Sequence, residues 1–164
     1  MILGVGTDLI EIERVRTAYA NPSFRRKYFT ALEIELIGES ASKAAGNFAV
    51  KEAVAKVFGC GFSGFSPVDI EVLRDELGKP YVNLFHGAKE MAKNLGLANL
   101  QVSISNTKEF AMAYAVGEKE EPKEEKSKSK IISKERRKKE QKKYEKKARN
   151  KDKRNTIRHT RGEV

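Results

Sequence analysis

Asp8 stands inside an apolar run at the start of the chain, MILGVGTDLI. A carboxylate in such a place must find a cation or hydrogen-bond donors, because burying it unpaired is costly. Two roles meet that need: a metal ligand, or a strand-end residue that caps the helix after it. Glu52 and Lys56 form a second group, four residues apart in GNFAVKEAVAKVF and side by side, with Phe48, on any helix there. As a pair they are also an ordinary surface ion pair, worth only about 0.3–0.5 kcal/mol in this orientation. Taken with Asp8 they make two carboxylates and a lysine. Mg²⁺ is held by one or two carboxylates plus substrate phosphates, and an ammonium takes the remaining phosphate charge. Gly59-Cys60-Gly61 follows directly. A loop without bulk admits a ligand to the backbone, and a glycine there equally serves to end the helix.

Other chemistries are poorly supplied. GVGTDL at Gly4 lacks the third glycine of a dinucleotide fingerprint, and no GxxxxGK[ST] phosphate loop occurs. His86 and His159 are the only histidines and Cys60 the only cysteine, which leaves little for a zinc site, a Cys-His hydrolase or an internal disulfide and fits a reducing compartment. The start has no basic region before its apolar stretch, and no apolar run approaches a membrane span, so a cytoplasmic protein is expected. The net charge of +10 is unevenly placed. Residues 1–117 carry 13 basic and 13 acidic side chains, and the 20 basic and 10 acidic residues beyond them carry the whole excess. Basicity is therefore a property of the tail, which alone is suited to weak binding of nucleic acid or another anionic surface.

The elements that must position these residues follow from pattern. Ile2–Ile10 reads as a first strand, in which Gly4 and Gly6 signal close backbone approach. A helix from Glu11 stops at Asn21-Pro22, and Thr30 with Glu33 makes a capping box opening a second short helix. Val50, Ala53, Val54, Val57 and Phe58 form one apolar face of a long helix over 42–58, ended by Gly59. VDIEVLRD alternates as a strand with Val68, Ile70 and Val72 on one side, and the GKP turn (Gly78–Pro80) leads into YVNLF. A helix near 87–95, which His86 introduces, precedes two closing strands, LQVSISN and FAMAYAV, joined at Thr107–Glu109. This is an α+β body over residues 1–117. Residues 118–164 read as a low-complexity linker followed by a basic segment that is disordered or helical only on a partner.

In order and spacing, GVGTDLIEIERV, FT-x-x-E, GNFAVKEAVAKVFG, GKP and VSISNTKEFAMAYAV resemble the bacterial holo-[acyl-carrier-protein] synthases, small 4′-phosphopantetheinyl transferases. The resemblance covers residues 1–117 and none of the tail. It implies an antiparallel sheet packed with a long central helix, a barrel-like homotrimer with active sites at subunit interfaces, and Mg²⁺-dependent transfer from coenzyme A to a serine of acyl carrier protein. It assigns Asp8 and Glu52 to the metal and Lys56 to the coenzyme A phosphates, these three being the catalytic set. Gly59 and Gly61, Asn47, Gly78 and Pro80, and Asn106 fall at coenzyme A-binding positions. Arg14 matches a position that contacts the acidic carrier, and Arg25, Arg26 and Lys27 extend that surface or serve as a solvated helix face. Three positions depart from the pattern: Asn106 replaces a histidine, Asn47 an arginine, and Cys60 a threonine. Asparagine accepts no proton from serine, so that task is expected of Glu52 or a metal-activated water. The rival expectation is a degenerate transferase domain kept as an interaction platform.

Overall fold

A computed structural model describes residues 1–119, and Met1–Glu120 form one compact unit. The expectations for the tail lie outside the described residues. Strand β1 (Ile2–Glu11) leads into helices α1 (Ile12–Tyr19), α2 (Pro22–Tyr28), α3 (Ala31–Ile37) and α4 (Ala41–Phe58). A 3-10 turn at Pro67–Asp69 opens β2 (Ile70–Arg74), then β3 (Pro80–Leu84), α5 (His86–Leu95), β4 (Leu97–Asn106) and β5 (Phe110–Lys119). The sheet order is β1-β5-β4, antiparallel throughout, and β2 and β3 form a separate hairpin. No described helix is long and apolar enough to cross a membrane.

The packing of α4 on the sheet is set by small residues. Ala111, Ala113, Ala115 and Gly117 face inward from β5, while Phe110, Met112 and Tyr114 alternate outward. On β1 the side chains of even-numbered residues share a face with Gly4 and Gly6. A Cβ on Gly4 would lie 2.5 Å from the Val57 carbonyl oxygen, and one on Gly6 would overlap that of Ala53. Strand and helix therefore run in opposite directions at backbone contact, two strand residues (~6.7 Å) matching four helix residues (~6 Å). Continuing that step brings Asp8, the next residue of this face, beside the turn of α4 that carries Glu52. Gly6→Ala should cost about 3 kcal/mol, the upper range for overpacking, because the obstacle is backbone and cannot rotate away. An unchanged urea midpoint would show that the helix can lift freely.

Four readings of the pattern change. Asn21-Pro22 stops α1 but also starts α2, with the Asn21 Oδ1 accepting from Ser23 N and Pro22 in the first turn, where a missing N–H costs nothing. Helix α4 is buried on more than its expected face, Ala44, Ala45, Asn47 and Lys51 included. Val68 belongs to the 3-10 turn, and in β2 Glu71 is buried between Ile70 and Val72, so alternation fails there. Finally, β5 runs to Lys119, paired with Leu97, two residues beyond the expected boundary.

Candidate active site

A cleft of about 580 Å³ opens where β1, α1, α2 and α4 meet, and Asp8, Glu52, Arg14 and Glu11 line it. Its inner wall is apolar and aromatic, with Phe24, Tyr28 and Phe48 among its residues. These three rings stack on one another, Phe24 on Tyr28 at 4.4 Å and Tyr28 on Phe48 at 5.3 Å between centroids. The wall was not anticipated from sequence, since Phe24 and Tyr28 lie in a segment whose helical spacing is masked by Asn21-Pro22 and three consecutive basic residues.

Asp8 does not cap α1. It lies mid-strand opposite Ala113, and the helix is preceded by Glu11 without any side-chain cap. Its carboxylate is met by the Lys56 ammonium at 2.9 Å, which also donates to the Thr7 carbonyl at 2.7 Å. Lys56 therefore turns across to the strand, and Glu52 and Lys56 make no ion pair among the described residues. Glu52 keeps no hydrogen-bond partner there either. Burial pushes its carboxyl above the usual range, the neighbouring Asp8 charge adds to this, and Lys56 opposes it. Two converging carboxylates, one lacking a counter-charge, fit a divalent cation that also takes ligand oxygens from a phosphate. No group of three or more side chains that could ligate a metal exists among the described residues.

The remaining candidate residues occupy two regions. Gly59 (φ +78°) caps α4 beyond Lys56 and Gly61 (φ +59°) follows it, both with open space where a side chain would be, and Cys60 between them is exposed. Asn106 is tied to the other end of α4, its Nδ2 donating to Ser42 Oγ at 2.7 Å and to the Ser42 carbonyl at 3.2 Å. Ser42 and Glu52 are ten residues apart on one helix, about 15 Å, so Asn106 is not brought to Asp8 and Glu52 within the chain. Gly78 lies in the exposed turn between β2 and β3, closed by Asp75 Oδ1 accepting from Leu77 N and Lys79 N, and Pro80 is the half-buried first residue of β3. Asn47 is fully buried, its Nδ2 donating to Val72 O at 2.8 Å and Glu33 Oε1 at 3.2 Å. Arg14 is exposed and lines the cleft, Arg26 is exposed on α2, and Arg25 is half-buried with its guanidinium over the Tyr19 ring.

Under α4 lies an ion pair that the sequence concealed. Lys51 and Glu33, both fully buried, meet at 2.8 Å, and Lys51 also donates to the carbonyls of Pro67 and Ile70. Glu33 accepts from Thr30 N, Asn47 Nδ2, Val72 N and Lys51. Burial pushes the Glu33 carboxyl up and the Lys51 ammonium down, and each charge is the largest force opposing the other's neutralisation. With every Lys51 donor used, this network fixes the roll of α4 about its axis and so aims Glu52, one residue on, toward the cleft.

Residues 4–115 match the 4′-phosphopantetheinyl transferase superfamily. The chain is 52% identical over 118 residues to a holo-[acyl-carrier-protein] synthase of Lachnoclostridium phytofermentans, covering 72% of this chain and 97% of that one. Among solved structures, it resembles the Helicobacter pylori holo-[acyl-carrier-protein] synthase in complex with coenzyme A, with a TM-score of 0.64 and 28% identity over 70% of this chain and 99% of that one. A Bacillus anthracis holo-(acyl-carrier-protein) synthase in complex with CoA (3′,5′-ADP) matches with a TM-score of 0.62 and 32% identity over 73% and 99%.

Proposed function

The chain belongs to the 4′-phosphopantetheinyl transferase superfamily, and from that premise we propose that it is a holo-[acyl-carrier-protein] synthase, moving the 4′-phosphopantetheine arm of coenzyme A to a serine of apo acyl carrier protein. The observation that carries this reading is the convergence of Asp8, Glu52 and Lys56 in a chain so similar to synthases of that name. The serine oxygen bonds to the β-phosphorus of coenzyme A. The bond from that phosphorus to the bridging oxygen breaks, and adenosine 3′,5′-bisphosphate leaves with the electron pair. Asp8 and Glu52 would hold Mg²⁺, which when bound would supply positive charge to the diphosphate. Lys56 turns from Asp8 to the phosphate and neutralises charge on the leaving side. Glu52, which lines the cleft, takes the serine proton, since Asn106 has no basic atom to offer.

Arg14 at the cleft, extended by Arg25, Arg26 and Lys27 on α2, is the basic surface on which the acidic carrier docks, and the aromatic wall takes an apolar side chain from it. Arg14→Glu should raise KM for the carrier about tenfold with kcat little changed and flatten the salt dependence of kcat/KM, because steering by a rim charge acts on association. An unaltered salt profile would remove Arg14 from the docking surface.

We assign the protein to a homotrimer with active sites between subunits. Two features support this. Val5, Leu9, Met112 and Tyr114 leave an apolar sheet face between 41% and 65% exposed. Asn106 and the Gly78–Pro80 turn lie toward the opposite end of α4 from Lys56, so a second protomer is needed to bring both sets to one coenzyme A.

The deciding experiment is intact-mass measurement of apo acyl carrier protein incubated with coenzyme A, Mg²⁺ and either full-length protein or a truncation after Glu120. A phosphopantetheinyl mass gain that a chelator abolishes is expected from both. No gain from either, with carrier and coenzyme A competent toward a control enzyme, would favour the interaction-platform reading and turn attention to the tail.

A further inference from the structure

We propose that Arg74 binds the 3′-phosphate of coenzyme A, supplying at the mouth of the buried Asn47 position a guanidinium that α4 itself lacks. The proposal rests on the coenzyme A reading above and adds a residue to it. Asn47 stands where the family pattern has arginine, and it is too short to reach out of its buried position. Its amide nitrogen is spent inward on Val72 and Glu33, which leaves Oδ1 to receive Arg74 Nη2 at 2.9 Å. The last residue of β2 thereby places a guanidinium against the helix at that position. Arg74 Nη1 donates to the Leu73 carbonyl at 3.0 Å. The other three of its five N–H groups have no partner among the described residues, and the residue keeps part of its surface in solvent.

No carboxylate lies within ion-pair distance of Arg74 among the described residues. Glu33 is the acidic group whose field it feels, and that carboxylate already accepts four hydrogen bonds. A half-buried guanidinium with free donors and no carboxylate of its own is matched to an incoming anion. The backbone beside it is open. Arg74 pairs across the hairpin with Pro80, and two residues earlier Gly78, at φ +83°, has nothing within 4 Å of where a Cβ would stand. A planar fork next to bare backbone suits a terminal phosphate monoester, which accepts two parallel N–H bonds.

The choice between the phosphates of coenzyme A follows from which residues already hold the diphosphate. Lys56, Asp8 and Glu52 hold the diphosphate, whereas Arg74, tied to Asn47 and paired with Pro80, belongs with the Gly78–Pro80 turn to the set that a second protomer brings to the same coenzyme A. Arg74 is thus separated from the reacting phosphates and pairs with the one phosphate the reaction leaves untouched. It is a binding residue for the donor and takes no part in bond making.

The test compares coenzyme A with 3′-dephospho-coenzyme A as donors for the wild-type chain, Arg74→Met, Arg74→Lys and Arg74→Gln, the last keeping a donor toward Asn47 should the methionine variant fold poorly. Arg74→Met and Arg74→Gln should raise KM for coenzyme A about 10- to 100-fold, the loss of one charge-assisted contact, with kcat little changed. KM for the dephospho donor should not move, and Arg74→Lys should recover part of the loss. Equal weakening of both donors, or of neither, overturns the assignment. Calorimetric titration with adenosine 3′,5′-bisphosphate and with 5′-AMP reads the same discrimination without turnover. If the wild-type chain transfers from neither donor, the synthase reading fails while this titration still decides whether Arg74 selects the 3′-phosphate.

Discussion

Glu52→Gln is expected to lower phosphopantetheinyl transfer at least about 1,000-fold, since the cation loses one of two carboxylates and several kcal/mol of charge stabilisation go with it. The same change should leave the metal-free protein more stable at neutral pH. Burial, and after it the Asp8 charge, holds the Glu52 carboxyl above its ordinary range in the folded chain. A folded-state pKa above the unfolded value means that the folded chain binds the proton more tightly. Stability from this group is then complete below the unfolded pKa of about 4.3 and is lost as pH rises through the folded value. A neutral amide replaces a carboxylate that carries this penalty whenever it is ionised. With chelator present, the gain in Tm of Glu52→Gln over the wild type should be larger near pH 7.5 than near pH 4.5. Mg²⁺ should raise the Tm of the wild type and not of the variant. A variant that is less stable than the wild type at both pH values would mean that Glu52 has structural partners and is not a group held ready for a cation.

Asp8, Glu52 and Lys56 were legible because each is an anomaly of type or spacing: a carboxylate in an apolar strand, and an acid and a base on one side of an alanine-rich helix. Gly4 and Gly6 were legible for a related reason, as residues that weaken a strand unless another backbone needs the space, and α4 occupies that space. Lys51 and Glu33 were hidden. Glu33 had a sufficient local explanation in the capping box with Thr30, which indeed forms, and Lys51 sits beside Glu52 where a surface charge is unremarkable in sequence. One signal was present: Asn47, Lys51, Ala55 and Phe58 share a side of α4, and a polar pair on a side otherwise made of buried apolar residues needs internal partners. The pairing of Lys56 with Asp8 was also out of reach, because helical spacing offers Glu52 as the partner and only the strand's close approach makes Asp8 available. Local pattern fixes which residues are near one another within an element. It does not fix which element a long side chain will choose.

That choice by Lys56 has the second large consequence. Lys56→Met should reduce transfer at least about 100-fold, the scale of losing one preorganised charge on the leaving side, and should at the same time tighten Mg²⁺ binding in the absence of coenzyme A. In the free protein the Lys56 ammonium occupies the Asp8 carboxylate and is anchored by the Thr7 carbonyl. A divalent cation must displace it and then sit beside a freed positive charge, so the metal alone binds against resistance. A coenzyme A phosphate gives the displaced ammonium a new partner and removes that resistance. On the proposed reading, metal and coenzyme A should therefore favour each other's binding, and linkage makes the factor the same in both directions. Calorimetric titration of Mg²⁺ with and without adenosine 3′,5′-bisphosphate measures this factor, which should shrink in Lys56→Met as the nucleotide-free affinity rises. Unchanged Mg²⁺ affinity in the variant would show that the metal does not compete with Lys56 for Asp8. A merely structural lysine predicts loss of both properties together, whereas a resident counter-ion that becomes a phosphate ligand predicts opposite signs, and the half-exposed position of Lys56 on an otherwise buried helix face allows it to make that exchange without repacking the core.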